Sequence, residues 1–231
     1  MHVTRLLRLT MSVALSMAAW ACPIPVAHSQ TQDLNVSANR VALISDSYTT
    51  GTDEGGLGPK NWTALAWRSL AAQQVPITPD VAAEGGAGYN TRGNRGDTFD
   101  DLTAGAVRPD DVLVVFFGSR NDLHVAPAAL SIVVYGVFQR ARMTAPSARM
   151  LVIGPAWPTA NPPDAVLRIR DTLAYQAQLA DATFVDPIAE GWFVGRPQLI
   201  GHDGVHPTDA GHVYLADRIT PLIRAQLPRT A

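Results

Sequence analysis

The sequence predicts an α/β protein, a three-layer α/β/α sandwich around a mostly parallel five-stranded sheet. Three observations carry that expectation. Short continuous apolar runs alternate with longer segments of helical spacing, the runs end in Gly, Asp or Pro, and no internal repeat or low-complexity tract interrupts the alternation. A strand buried on both faces loses the polar alternation of a half-buried one, and parallel strands need right-handed crossovers that put helices on both faces of the sheet.

The first thirty residues stand apart from this pattern. Arg5 and Arg8 precede the uncharged segment 9–21, and the next formal charge is Asp33. A short positive region followed by an apolar stretch of this length reads as an export signal covering residues 1–29. Ala27 and Ser29 are the small residues before the expected cleavage point, and Pro23 and Pro25 end the apolar stretch. The stretch falls short of the ~20 residues that a membrane span needs, so a secreted product is expected, with attachment to the cell envelope as the alternative. Cys22 is the only cysteine and leaves with the signal, so neither disulfides nor a thiol nucleophile are expected in the remaining chain. Residues 38–231 are expected to form one domain.

Within that domain, "RVALISD" (40–46), "DVLVVFFG" (111–118), "RMLVIGP" (149–155) and "ATFVDPI" (182–188) read as buried strands, with a weaker one at 77–83. Helical spacing covers 62–73, 126–142, 165–180 and 208–226, the last with Leu215, Ile219, Leu222 and Ile223 on one stripe. Charge is near balance, 18 basic against 20 acidic residues, and Lys60 is the only lysine. Without a basic stripe, no nucleic-acid partner is expected.

Open parallel sheets hold ligands beyond the carboxyl ends of their strands, which directs attention to the residues after each run. They read "SDSYTTG" (45–51), "EGGAGYNT" (84–91) and "GSRND" (118–122), and near the C-terminus stands "HDGVHPTDAGH" (202–212). A serine hydroxyl becomes a nucleophile when a base takes its proton and a carboxylate orients that base. Ser47 with Asp203 and His206 can fill these roles. A developing oxyanion needs donors already in place, and Gly88 and Asn121 are the candidates.

Together the four segments resemble the blocks of the SGNH (GDSL) hydrolase family, in the family's order and across nearly the whole domain. The resemblance implies a flavodoxin-like sandwich, a serine ester hydrolase without metal or cofactor, Ser47 as nucleophile, Asp203 and His206 completing a triad, and an oxyanion hole made by the Ser47 N–H, Gly88 and Asn121. Two positions depart from the family pattern: Ser45 and Ser119 stand where glycine is usual, and small local adjustments are the expected result.

Other readings of the same residues stand beside this one. The pattern D-x-x-H occurs twice, and the pair Asp209/His212 is assigned to a helix instead of the chemistry, with Pro207 at its first position and Thr208 and Asp209 in its first turn. His202, His206 and His212 are the histidines a zinc site would use, although Gly204 and Pro207 interrupt the spacing. Gly86 is the near competitor of Gly88. Asp122 is expected to tie a loop and Trp62 and Trp67 to pack, while Trp157 is a pocket candidate and Arg120 a surface or structural residue. The Gly-rich stretch 50–62 lacks a phosphate-loop ending and is read as a mobile rim. Expected substrates are small-molecule or glycan-linked esters. A glycan- or lipid-binding module that has lost the reaction, and an O-acyltransferase, are the alternatives.

Overall fold

The computed structural model describes residues 39–228; the expected signal segment and Cys22 lie outside them. Five strands, β1 (Asn39–Ser45), β2 (Ile77–Ala83), β3 (Leu113–Phe117), β4 (Arg149–Ile153) and β5 (Thr183–Val185), form one sheet in the order β2-β1-β3-β4-β5, and every pairing is parallel. The order explains why the second strand was the weakest to read. It is an edge strand, where Pro79 breaks no ladder and polar residues face solvent.

Among the described residues six α-helices accompany the sheet: α1 (Ser47–Thr50), α2 (Trp62–Ala72), α3 (Phe99–Ala106), α4 (Pro127–Thr144), α5 (Asp164–Leu179) and α6 (Asp209–Gln226). Alternate strand residues serve opposite faces. Val41 and Leu43 of β1 pack with Trp62 and Leu70 of α2 and with Leu215 and Ile219 of α6, whereas Ala42 and Ile44 pack with Phe99, Val134 and Phe138 of α3 and α4 and with Leu173 of α5. The three layers expected from the apolar runs are therefore present. The chain leaves β1 toward β2 and then returns to β3 on the other side, so a crevice opens between the carboxyl ends of β1 and β3.

Three local expectations need correction. α3 was not anticipated; its start is fixed by a capping box in which Thr98 and Asp101 satisfy each other's backbone N–H. Pro207 is not the first helical residue. It pairs with Ile200 in an isolated bridge, and Thr208 caps α6 by accepting the Gly211 N–H. The Gly-rich rim is tied down at several points instead of standing free: Thr52 bridges Gly55, and the Asn61 amide donates to the carbonyls of Thr49 and Gly56.

That rim is also where α6 attaches. Asp209 accepts the Gly56 N–H at 3.0 Å through one oxygen and pairs with Lys60 through the other. One turn on, His212 is completely buried, and its Nδ1 accepts the Trp62 N–H at 3.3 Å. Gly56, at φ +76°, lies against the His212 ring so closely that a Cβ there would collide with it. The second D-x-x-H pair thus fastens the helix that follows the first.

Burial lowers the His212 pKa from 6.5 to about 4, only partly opposed by the Asp209 charge. The unfolded chain therefore binds more protons here than the native state, and the stability this residue contributes above pH 6.5 is lost as pH falls through that interval. Thermal unfolding between pH 7 and 4 should show a steeper loss for the wild type than for His212→Gln, whose side chain does not titrate. Parallel losses would contradict the assignment.

Candidate active site

The site begins where β1 ends. Asp46 turns the chain by accepting the Tyr48 N–H at 3.0 Å, which starts α1 at Ser47 and lifts that side chain out of the sheet into the crevice. As the first residue of a helix, Ser47 has an N–H without an intrahelical acceptor. Asp46 is nearly inaccessible, and desolvation raises its pKa to about 6 against the opposing pull of the Tyr48 N–H and the Arg120 and His206 charges.

His206 and Asp203 arrive from the loop before α6. His206 Nε2 stands 2.9 Å from Ser47 Oγ, and its Nδ1 stands 2.5 Å from Asp203 Oδ2. The other Asp203 oxygen accepts the backbone N–H groups of Val205 and His206, at 2.8 and 2.9 Å, so the carboxylate is fixed before it meets the ring. Burial works to raise the Asp203 pKa, but the bonds from His206 and Val205 prevail and hold it at about 2. An ionised Asp203 is acceptor-only, so Nδ1 carries the ring proton and Nε2 presents its lone pair to the serine hydroxyl.

A contact that the sequence did not announce holds this loop in place. The Tyr48 hydroxyl donates to the Val205 carbonyl at 2.7 Å, joining the neighbour of Ser47 to the neighbour of His206. Its ring packs edge-on against Phe117 and Phe193, and burial pushes its pKa up to about 12, so it remains a neutral donor. A tyrosine beside the serine was the available signal; the partner 157 positions away was not legible.

The Asn121 side chain also borders the crevice; its amide donates to the Ala87 carbonyl at 2.7 Å, and its second amide hydrogen has no acceptor among the described residues. The serine replacing a glycine at 119 supports this arrangement: its buried hydroxyl donates to Ala87 O and accepts the Asn121 N–H at 2.9 Å. Ser45 is similarly engaged, donating to Phe117 O at 2.8 Å and accepting from Thr49. Both departures from the family pattern are thus buried hydroxyls with partners on neighbouring segments.

Gly88 requires correction. Its N–H is spent on the Thr91 carbonyl at 2.8 Å, and it is buried beneath the Asp122 carboxylate, where a Cβ would come within 2.6 Å of an oxygen. Asp122 itself, fully buried, accepts from the backbone of Tyr89, Asn90 and Thr91 and from the Thr91 hydroxyl, the tying role expected for it. The glycines that border the crevice with Ser47, Asn121 and His206 are Gly51, at the end of α1, and Gly85 and Gly86 after β2; among the described residues neither the Gly85 nor the Gly86 N–H has a hydrogen-bond acceptor.

The crevice is about 510 Å³ and is lined largely by polar side chains. The three histidines considered for a metal do not converge. His206 faces Ser47, His212 is buried against Trp62, and His202 meets Glu54 through its backbone N–H. Trp62 and Trp67 pack on the core, and Trp157 lies beneath the Arg120 guanidinium, 4.3 Å from its carbon.

Comparison with known proteins agrees with this geometry. Residues 46–214 match the model of the GDSL-like lipase/acylhydrolase family. The chain is 56% identical, over 97% of its own length and 97% of its relative's, to the GDSL lipase Rv0518 of Mycobacterium tuberculosis. Among solved structures it resembles a lipase/acylhydrolase from Enterococcus faecalis, with a TM-score of 0.64 at 17% identity, covering 84% of this chain and all of that one. An extracellular lipase from Streptomyces rimosus superposes with a TM-score of 0.58 at 16% identity over 82% of this chain and all of that one. With an α/β fold shared by these hydrolases and a sequence match across most of its length, the chain belongs to the GDSL-like lipase/acylhydrolase family of serine ester hydrolases.

Proposed function

We propose that this protein is an exported esterase that hydrolyses short-chain or carbohydrate-linked carboxylic esters through an acyl-enzyme on Ser47. The observation that carries the reading is the unbroken line from Ser47 Oγ through the His206 ring to Asp203. Ser47 Oγ attacks the carbonyl carbon while its proton passes to His206 Nε2. The tetrahedral intermediate then collapses, and the alcohol leaves with the proton from Nε2. Water adds to the acyl group by the same route and releases the acid and the free serine.

The negative oxygen of each intermediate needs donors already in position. The Ser47 N–H, the second Asn121 amide hydrogen and the Gly86 N–H fill that requirement, with Gly86 replacing the glycine first expected from the sequence. Support for a short acyl group comes from the lining: threonine, glycine, asparagine and arginine border the crevice, and Val205 is its one aliphatic wall among the described residues. Export rests on the composition of residues 1–29.

A fluorophosphonate probe should label the wild type at one site and leave Ser47→Ala unlabelled. Absence of labelling in the folded wild type would contradict the reading. With nitrophenyl esters, Asn121→Ala should lose on the order of 10²–10³ in kcat with little change in KM, and near-native turnover would remove Asn121 from the oxyanion hole. A series of acyl lengths should show activity falling as the chain grows beyond a few carbons; a rise toward long chains would overturn the short-chain assignment.

A further inference from the structure

The lining of the crevice has an uneven charge. Two arginines, Arg95 and Arg120, border it, and among the described residues no aspartate or glutamate does, although the whole chain carries a formal charge of −2. Arg120 immediately precedes Asn121 and is held flat against the Trp157 ring. Its Nη1 is buried without a hydrogen-bond partner, and Arg120 takes part in no ion pair among the described residues. The Asp46 charge and the Tyr48 hydroxyl act on this guanidinium without closing an ion pair with it, and the side chain borders the crevice with Ser47, where an acceptor brought from outside can meet its accessible donors.

Arg95 borders the same crevice. Its Nη2 is committed to the Ala83 carbonyl and lies 3.6 Å from Glu84, but the side chain is 65% exposed. Glu84 Oε1 accepts the backbone N–H groups of Arg95 and Gly96, while its buried Oε2 makes no hydrogen bond and is paired with the Arg95 guanidinium. The other donors of the Arg95 side chain make no hydrogen bond among the described residues, and the side chain borders the crevice.

We propose that Arg120, together with Arg95, forms an anion-recognition subsite, so that the preferred substrates are esters bearing a carboxylate or phosphate group close to the scissile carbonyl. This rests on the esterase reading of the same crevice. A purely structural Arg120, offsetting the charge of the nearby buried Asp46, would affect charged and neutral substrates equally, which makes the ratio of the two the informative quantity.

The test uses the full chain and two matched substrate pairs. Mono-4-nitrophenyl succinate against its methyl ester places the charge on the acyl side, and butyryl glycerol phosphate against monobutyrin places it on the alcohol side. The wild type should favour the anionic member of at least one pair by about 10–100-fold in kcat/KM, the range of one or two charge-assisted hydrogen bonds, and the preference should shrink as salt is raised. Arg120→Gln and Arg95→Gln should each lower that ratio, whereas Arg120→Lys should keep part of it. The pair that responds identifies the side on which the anion sits. Equal rates for charged and neutral esters in both pairs, or a ratio unchanged in Arg120→Gln, would overturn the subsite and leave the esterase reading intact. Failure to hydrolyse any of the four would sink the esterase reading and the subsite with it.

Discussion

The seating of the α6 N-terminus on the rim that follows Ser47 is the constraint on which the site depends. Ser47 and His206 are separated by 159 positions, and no strand pairing joins the segments that carry them. What holds them within hydrogen-bond reach is a set of contacts just outside the reacting atoms: Asp209 on the Gly56 N–H, His212 beneath Trp62, and the Tyr48 hydroxyl on the Val205 carbonyl. The two D-x-x-H pairs therefore divide the work. The first offers an imidazole to the serine, and the second fixes the helix from which that imidazole's loop departs.

The sheet supplies the other half of the geometry. Because β1 and β3 are neighbours while the chain visits β2 between them, the turns after all three strands open onto one crevice. These turns are joined to one another as well as to the strands. Asp122 gathers three successive backbone N–H groups from the β2 side, and the Ala87 carbonyl accepts from both Ser119 and Asn121 on the β3 side. A wall made in this way needs no reorganisation when charge develops on a substrate oxygen, which is the condition under which fixed donors accelerate acyl transfer.

The layered fold was readable because both of its signals are local: long apolar runs report strands buried on two faces, and helical spacing reports the layers that cover them. The meeting of Ser47, Asp203 and His206 was equally legible, since each sits in a short segment at a strand end or before a helix. The glycine proposed as an oxyanion donor was not. Gly86 and Gly88 differ in where their N–H groups go, and that depends on how the turn closes on Thr91 and Asp122, a matter of three dimensions. α3 escaped notice because eight residues give little periodicity, and its capping box uses aspartate in the place where glutamate or glutamine is the usual sign. The roles of Tyr48 and His212 depend on partners roughly 150 positions away and could be assigned only once the chain had folded.

The coupling between rim and nucleophile can be measured away from the reacting atoms, in Gly56→Ala, where a methyl group would press on the buried His212 ring and shift α6 from its seat. The decisive quantity is the rate at which Ser47 reacts with a phosphonate in a variant that keeps the circular dichroism of the wild type. Displacements of about 1 Å can cost on the order of 10²-fold in such reactions, so a large drop in rate is predicted. A folded Gly56→Ala protein that reacts as fast as the wild type would contradict the account.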